Sequence, residues 1–407
     1  MGDIFISDER IFELVEKYGT PLYVYDEDTL RIRCKEMRNL LPNKNLRVNY
    51  SAKANSNLEL LKIVMSEDID VDAMSPGEIY IQQKAGFTNE RIFYIGNNVW
   101  ADEIMYAVER GILVSVDSLS QLELFGKINR GGQVAVRFNP GVGAGHHEKV
   151  VTAGKKTKFG VQKNFVGQVK ELIKEYDLKL IGINQHIGSL FLDEDQYIVG
   201  VRMLLEIAKE FKGLKFIDMG GGFGVPYKKD ENRLDLAKLS EKLDAEFANF
   251  LKDYDNEGVM FKIEPGRYIV AESGILLGEV CSVKYNYGVK YIGTDLGFNV
   301  LARPILYDSY HEVQVVKRSG NYGENEEVTI VGNICESGDI IAKDRILPEI
   351  IERDVLAVMN SGAYGFAMCS NYNCRLRPAE VLICHNGEDK LIRKRDTFED
   401  IERNFIC

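Results

Sequence analysis

The sequence predicts an α/β protein made of a (β/α)8 TIM-type barrel and a mostly antiparallel C-terminal β domain. Short apolar, β-branched runs recur up to residue 263, and segments with apolar residues at three-to-four spacing lie between them. There are eight such runs, the number of strands that closes a barrel. They span residues 46–50, 69–73, 92–95, 112–116, 133–138, 180–185, 214–219 and 260–263.

The spacing of these runs supports the same fold. The first five begin about 20 to 24 residues apart, which is the length of one strand–helix unit with its loops. Residues 57–64 and 101–110 repeat apolar side chains at helical spacing and are predicted helices. An open doubly wound sheet is the alternative architecture, but no G-x-G-x-x-G follows the first run, so we rank it below the barrel.

The chain is long enough for two domains, since 407 residues exceed the usual size of one hydrophobic core. Past Arg267, short β-branched runs with glycine turns replace the helical periodicity, as in an antiparallel β domain. We predict a barrel over residues 28–270 and a β-rich domain over residues 1–27 and 271–407. The N-terminal run at 21–26 is expected to join the C-terminal sheet. The C-terminal runs span residues 278–285, 291–295, 328–331, 355–358 and 379–383.

The charge balance argues against several classes of partner. Lys and Arg number 51 and Asp and Glu number 62, and the resulting net charge of −11 disfavours nucleic acid and anionic membranes. No uninterrupted apolar run approaches the ~20 residues of a membrane-spanning helix. The seven cysteines form no C-x-x-C pair, so neither a disulfide framework nor a zinc site is indicated. We therefore predict a cytoplasmic protein with reduced thiols and a small-molecule substrate.

Four polar or glycine-rich segments lie where predicted barrel strands end. Lys53 follows the first strand, HIGS at 186–189 the sixth, three glycines at 220–222 the seventh, and EPGR at 264–267 the eighth. Because parallel strands gather their carboxyl ends at one mouth of a barrel, we expect these segments to share a pocket. Each has an ordinary structural alternative, namely a solvated lysine, a core histidine or a tight glycine turn. Their coincidence at strand ends favours a functional site.

These residue types suit one cofactor. A lysine amine forms a Schiff base with a carbonyl, and the unobstructed N–H groups of a glycine loop bind phosphate. Ser189 and Arg267 are placed to donate to the same phosphate. A carbonyl and a phosphate on one molecule describe pyridoxal 5′-phosphate, whose pyridine nitrogen needs an anionic partner, for which Glu264 is the candidate. His186 is placed to lie flat on the cofactor ring.

Seven short motifs are distributed along essentially the whole chain. They are YSAKAN at 50–55, HIGS at 186–189, DMGGG at 218–222, EPGR at 264–267, CESGD at 335–339, GAYG at 362–365 and NYN at 371–373. In type and order they resemble the motifs of the fold-type III pyridoxal-phosphate decarboxylases. The resemblance implies a barrel with a β domain, pyridoxal 5′-phosphate as the cofactor, and loss of CO2 from an amino acid.

The resemblance also implies a role for each candidate residue. The catalytic residues would be Lys53, which binds the cofactor covalently, His186, which stacks on its ring, and Cys335, our candidate general acid. Cys335 and Glu336 would come from the partner subunit of an obligatory homodimer. The further residues expected at the cofactor are Ser189, Gly221, Gly222, Glu264, Gly266, Arg267 and Tyr364. The residues expected at the substrate are Arg267, Arg303, Tyr307, Glu336 and Tyr364.

The residues at the substrate end imply one substrate in particular. Ornithine-type relatives usually carry aspartate after the cysteine and at the place of Arg303, whereas this chain has Glu336 and an arginine. The resemblance therefore implies decarboxylation of meso-2,6-diaminoheptanedioate to L-lysine and CO2, with Arg303 selecting a distal carboxylate. One alternative is a related decarboxylase of D-ornithine, D-lysine, carboxynorspermidine or a siderophore intermediate. The other is a non-catalytic homologue that binds the cofactor.

One loop departs from the family pattern. Residues 141–149 read GVGAGHHEK, where we expect a different histidine-containing spacing. His146 and His147 are adjacent and cannot both reach one ion comfortably, and no further ligands are placed beside them. We therefore predict no metal site.

Overall fold

The chain forms two compact units in a computed structural model that describes residues 4–41, 45–141, 157–256 and 258–406 and the backbone of residues 144–145. The barrel unit comprises Arg31–Val225 and Asn232–Ile269. The β unit comprises Met1–Leu30, Pro226–Glu231 and Val270–Cys407. None of the helices in the described ranges combines the length and the hydropathy that a membrane-spanning helix requires.

Eight parallel strands close the barrel, which confirms the predicted fold class. Each strand pairs with the next along the chain, and the eighth returns to the first through the pairs Phe261–Leu46 and Ile263–Val48. A two-residue strand, Val161–Gln162, pairs with the end of the fifth strand at Phe138 and Asn139. The barrel strands are Leu46–Ser51, Asp70–Ala73, Ile92–Tyr94, Leu113–Val116, Gln133–Asn139, Lys179–Asn184, Phe216–Asp218 and Met260–Ile263.

Helices connect the barrel strands, and side-chain caps mark where several of them begin. Ser75 and Ser118 each accept a hydrogen bond from a backbone N–H three residues later, and Asn57 accepts one from the N–H of Glu59. These bonds satisfy N–H groups that the first turn of a helix leaves unpaired. The helices of the barrel unit are Leu58–Ser66, Pro76–Ala85, Ala101–Val108, Leu119–Ile128, Val166–Glu175, Glu194–Ala208 and Leu236–Leu251. Two more, Glu27–Arg38 and Arg267–Val270, contain points at which the two units divide the chain.

Inside the barrel, a layer of charged side chains lies next to a layer of apolar side chains. Phe93, Ala135 and Phe216 pack together from the third, fifth and seventh strands, in the layer pattern of a filled barrel. Arg137 and Asp218 follow two residues later on the fifth and seventh strands, and so face the same side as this layer. The apolar layer therefore supports charged side chains nearer the carboxyl ends of the strands.

Nine strands form the sheet of the β unit. Leu22–Asp26 pairs antiparallel with Gly274–Asn286 and parallel with Ala379–Ile383, so the N-terminal run joins the C-terminal sheet as predicted. Val289–Thr294 and Asn325–Val331 form a second parallel pair, and the other pairs among the described strands are antiparallel. The remaining strands are Val313–Val316, Ile340–Pro348, Val355–Val358 and Asp389–Arg393.

A helix absent from the sequence prediction packs on this sheet. It spans Asp8–Tyr18, and its buried side chains Ile11 and Leu14 join the apolar cluster that contains Leu22 and Ile275. Residues three apart lie on one face of a helix, so this face covers the sheet while the charged residues stay outside. Two short helices, Arg303–Tyr307 and Phe398–Glu402, complete the β unit.

Candidate active site

Lys53 lies directly beyond the first barrel strand, in a single turn of 3₁₀-helix. The N–H of Ser51 donates to the carbonyl of Pro265 at 3.1 Å, which ties this turn to the loop after the eighth strand. The phenol of Tyr50 donates to the carbonyl of Asn55 at 2.9 Å and closes the far side of the turn. Lys53 therefore extends from a well-fixed backbone, with its side chain half-buried.

Backbone hydrogen bonds join the other three predicted segments of the barrel. The N–H of Glu264 donates to the carbonyl of Gly220 at 3.0 Å. The N–H of Gly221 donates to Nδ1 of His186 at 3.2 Å. The structure thus brings together the glycine loop, His186 and Glu264, which the sequence placed after three different strands.

Close packing leaves room only for glycine in this loop. A Cβ on Gly221 would lie 1.9 Å from the carbonyl oxygen of Glu264. Gly222 has a φ of +113°, and a Cβ there would lie 2.3 Å from the ring of Phe191. The loop backbone consequently lies directly against the strand ends, which is the close approach that phosphate binding by backbone N–H groups requires.

Ser189 and Arg267 form a second polar group in the barrel unit. Nη2 of Arg267 donates to Oγ of Ser189 at 3.1 Å. Arg267 directly follows Gly266, at which a Cβ would lie 3.0 Å from the Cβ of Ser51. A guanidinium beside a hydroxyl is a strong pair of donors for an anion.

Glu264 is one of three buried carboxyl groups in this part of the barrel, together with Asp72 and Asp218. Burial raises the pKa of Glu264 well above its usual value, and the two aspartates raise it further, while Lys53 and Arg137 oppose the shift. Burial also raises the pKa of Asp72 to about 7 and that of Asp218 to about 6. Burial thus favours the protonated form of all three carboxyl groups.

His186 remains neutral in these surroundings. Burial lowers its pKa well below the usual value, and the nearby cations Lys53 and Arg137 lower it further. Because Nδ1 accepts a hydrogen bond from Gly221, the ring proton of the neutral imidazole is on Nε2. A flat, uncharged ring is suited to stacking on an aromatic cofactor.

The barrel residues fit pyridoxal phosphate. In the described part of the chain, Oε1 of Glu264 and Oδ2 of Asp218 are buried without a hydrogen-bond partner. A protonated ring nitrogen is the kind of donor that such a carboxyl group needs. The glycine loop suits a phosphate, and the amine of Lys53 suits an aldehyde. The aldehyde, the phosphate and the ring nitrogen of the cofactor thus each have a counterpart in the barrel.

Cys335 lies on an exposed loop of the β unit. The carboxylate of Asp339 accepts hydrogen bonds from the N–H groups of Phe298 and Ile334, both at 2.7 Å, and so fixes the end of the loop. The N–H of Cys335 donates to the side-chain carbonyl of Asn373 at 2.9 Å. The motifs CESGD and NYN, which are distant in sequence, therefore form one surface.

The predicted substrate residues other than Arg267 all belong to the β unit. Arg303 and Tyr307 begin and end one short helix, and Arg303 is only 2% exposed. Nη1 of Arg303 lies 2.8 Å from Nε2 of His311. Glu336 is exposed beside Cys335, and Tyr364 has a φ of +58°, which non-glycine residues rarely adopt.

Three residues that act on Glu264 or Arg303 were not predicted from the sequence. Asp72 and Arg137 act electrostatically on Glu264, and His311 contacts Arg303. The first two carried a usable signal, because each is a charged residue within a run predicted to be a buried parallel strand. His311 carried none, since it follows a short helix outside any predicted element.

The loop that departs from the family pattern spans residues 141–149. His146 and His147 lie outside the described residues. Among the residues that are described, no group of three or more His, Cys, Asp or Glu side chains is arranged to hold a metal ion.

The barrel, the lysine after its first strand and the glycine loop define a pyridoxal-phosphate enzyme of the barrel class. Residues 27–271 match the model of the pyridoxal-dependent decarboxylases, pyridoxal binding domain, and the chain belongs to this family. It is 42% identical to diaminopimelate decarboxylase of Methanothermobacter thermautotrophicus, over 99% of this chain and 95% of the relative.

Solved structures agree with this match. A crystal structure of diaminopimelate decarboxylase superimposes with a TM-score of 0.91 at 30% identity, over 98% of this chain and 96% of the other. The Helicobacter pylori diaminopimelate decarboxylase complexed with L-lysine superimposes with a TM-score of 0.89 at 32% identity, over 97% and 98% of the two chains. Both units of this chain therefore have counterparts in the same enzymes.

Proposed function

We propose that this protein decarboxylates meso-2,6-diaminoheptanedioate to L-lysine and CO2, the last step of lysine biosynthesis, in the cytoplasm. The observation that carries the proposal is that the similarity to diaminopimelate decarboxylases covers the β unit as well as the barrel. The family model ends at residue 271, whereas the Methanothermobacter enzyme matches 99% of the chain. The similarity thus extends over Arg303 and Tyr307, the residues expected to select the substrate.

The two parts of the chain divide the work. Residues 28–270 form the cofactor-binding barrel, whereas residues 1–27 and 271–407 add Tyr364 to the phosphate site, complete the active site and form the dimer interface. Bound pyridoxal phosphate supplies an aldehyde for the substrate amine and a conjugated ring that accepts the electron pair left by CO2. Lys53 would hold the cofactor covalently through its side-chain amine, the nucleophile that an aldehyde requires. The phosphate is bound by Ser189, Gly222, Gly266, Arg267 and Tyr364, while Gly221 donates to His186 beside the cofactor.

Glu264 governs the proton at the pyridine nitrogen. Burial, followed by the neighbouring carboxyl groups Asp218 and Asp72, raises the pKa of Glu264 and so favours its protonated form before the cofactor binds. A protonated ring nitrogen would be held by the Glu264 carboxylate, because a buried anion favours a cationic partner. His186, held neutral by burial, covers the ring without adding a competing positive charge.

The β unit supplies the selectivity and the final proton. Arg303, with Tyr307 and Glu336, binds the distal carboxylate and amine of the substrate, because a guanidinium fork matches a carboxylate and repels an ammonium. Cys335 returns a proton to the carbon that lost CO2. The exposed position of Cys335 and Glu336 on a firmly held loop supports their use by the partner subunit of a homodimer.

A substrate panel tests the reaction. We expect CO2 release from meso-2,6-diaminoheptanedioate to exceed that from L-lysine, L-ornithine and D-ornithine by at least about 10²-fold in kcat/KM, since a site built for a polar group rejects analogues that lack it. Purified protein loaded with pyridoxal phosphate is assayed with each amino acid at equal concentration. Preferential release from an amino acid without a distal carboxylate would contradict the assigned substrate.

Subunit mixing tests the shared site. Lys53→Ala and Cys335→Ala chains are each expected to be inactive, and an equal mixture that has exchanged subunits should recover about a quarter of wild-type activity. Half of the dimers are then mixed, and one pocket in each mixed dimer carries neither substitution. The control is Cys281→Ala, an exposed cysteine of the same unit outside the predicted site, which should retain full activity. No recovery, with exchange verified by mass, would place Cys335 in the pocket of its own chain.

A further inference from the structure

A buried imidazole contacts the arginine that the proposed function assigns to the distal carboxylate. His311 has 0% solvent exposure. Its Nδ1 lies 2.8 Å from the carbonyl oxygen of Met359, and its Nε2 lies 2.8 Å from Nη1 of Arg303. A carbonyl only accepts and a guanidinium only donates. His311 is therefore neutral, with its proton on Nδ1 and the lone pair of Nε2 directed at Arg303.

Tyr227 holds the same guanidinium from a second direction. Its ring meets the ring of His311 edge-on, with the centroids 5.2 Å apart, and its centroid lies 4.8 Å from Cζ of Arg303. The side-chain amide of Asn360 donates to the carbonyl of Pro226 at 2.9 Å and so fixes the segment that carries Tyr227. We call His311 and Tyr227 the arginine cradle.

The cradle orients a cation without cancelling its charge. A neutral imidazole nitrogen accepts a charge-assisted hydrogen bond, and an aromatic face attracts a guanidinium through its quadrupole. A carboxylate in the place of His311 would orient Arg303 as well, but it would compete with a substrate carboxylate for the same charge. The carbonyl of Met359 fixes the neutral tautomer of His311 with its proton on Nδ1. Met359 directly follows the strand Val355–Val358.

We propose that His311 is a positioning residue that fixes the guanidinium of Arg303 for the distal carboxylate of the substrate. This inference rests on the proposed function, and it adds a specificity determinant to it. His311 touches neither the cofactor nor the reacting carbon in this assignment. Its loss should therefore weaken recognition of the distal group and leave the chemical step largely intact.

The test compares His311→Phe with His311→Gln in the enzyme loaded with pyridoxal phosphate. Phenylalanine keeps the ring volume but has neither donor nor acceptor, whereas glutamine keeps both. We expect His311→Phe to raise KM for meso-2,6-diaminoheptanedioate by at least about tenfold, with kcat within a few-fold of wild type and unchanged cofactor absorbance. His311→Gln should recover a substantial part of the affinity. His385→Phe, at an exposed histidine of the same unit, is the matched control and should behave as wild type.

A binding measurement distinguishes a positioning role of His311 from a general disturbance of the active site. Inhibition constants are measured for heptanedioate, which carries two carboxylates, and for hexanoate, which carries one. The inference requires that His311→Phe weaken heptanedioate by at least about tenfold and change hexanoate little. An unchanged KM in His311→Phe, or parallel losses of kcat, KM and both inhibitors with no rescue by glutamine, would overturn it.

Two other outcomes also remain decisive. If His311→Phe does not fold, His311→Leu, which also lacks a polar group, is compared with His311→Gln and wild type. A raised KM at constant kcat in His311→Leu supports the inference, and an unchanged KM overturns it. If the wild-type enzyme releases no CO2 from meso-2,6-diaminoheptanedioate, the proposed function fails. In that case, a wild-type preference for heptanedioate over hexanoate that is lost in His311→Phe would still support the positioning role.

Discussion

Replacing Lys53 with alanine is expected to abolish decarboxylation and covalent attachment of pyridoxal phosphate while leaving the protein folded. Lys53 lies on a turn held by backbone hydrogen bonds to Pro265 and by the phenol of Tyr50, and neither bond uses its side chain. Without the amine, no nucleophile remains on this turn to bind the aldehyde. The measurements are CO2 release, the absorbance of bound cofactor, and the protein mass after borohydride reduction.

A neighbouring lysine provides the control for this substitution. Lys62 lies in the next helix, is exposed, and donates to Glu59 at 2.6 Å. Lys62→Ala should keep full activity and the reduced cofactor adduct, because an exposed ion pair contributes little. A cofactor adduct that persists in Lys53→Ala after reduction would show that another lysine carries the aldehyde.

Glutamine in place of Glu264 is expected to lower turnover by about two to three orders of magnitude, the scale set by loss of one preorganised electrostatic group. Burial raises the pKa of Glu264 and favours its neutral form before the cofactor binds, so the amide is close to it in shape and charge and the fold should tolerate the change. After the cofactor binds, an amide offers no negative charge to a cationic ring nitrogen. The measurements are kcat and the dissociation constant of pyridoxal phosphate, and Glu241→Gln, at an exposed position, is the control.

The pH dependence of stability gives the same substitution a second readout. The folded-state pKa of Glu264 is raised above its usual value of 4.5, and that of Asp72 is raised from 3.8 to about 7. Each group therefore contributes stability that is fully present below its usual value and is lost as the pH rises through its folded-state pKa. Denaturant unfolding of the cofactor-free protein should show stability falling between about pH 4 and about pH 7. The Glu264→Gln variant should show a shallower fall, and an identical profile would mean that Glu264 is ionised in the cofactor-free protein.

Barrel strands that are buried on both faces were the most predictable. Ile92–Tyr94 is buried along its whole length and is an unbroken apolar run, and the predicted run at residues 92–95 corresponds closely to it. The strands of the β unit were harder to predict from the sequence. Ile340–Pro348 carries Lys343, Asp344 and Arg345 in its middle, and its pairing shifts register, so neither an apolar run nor a regular alternation is visible. Asp389–Arg393 lies at the edge of the sheet and is short and polar, so it also lacks an apolar run.

For the active site, sequence identified residue types at strand ends but not their protonation. The position of Glu264 followed from strand order, yet its raised pKa depends first on burial and then on Asp218 and Asp72, which lie on other strands. The tautomer of His311 depends on Met359, which is 48 residues away along the chain. Such properties arise from contacts between distant segments, and no local pattern encodes them.

The buried carboxyl groups of the barrel also have a consequence for the life of the protein in a cell. Holding Glu264, Asp72 and Asp218 away from water costs free energy that a cationic ring nitrogen would offset. A ligand that binds only the folded chain stabilises it more as its concentration rises above the dissociation constant. Chains synthesised when vitamin B6 is scarce should therefore unfold more often and be degraded sooner. Nutrient supply would in this way set the amount of enzyme as well as the fraction that is loaded.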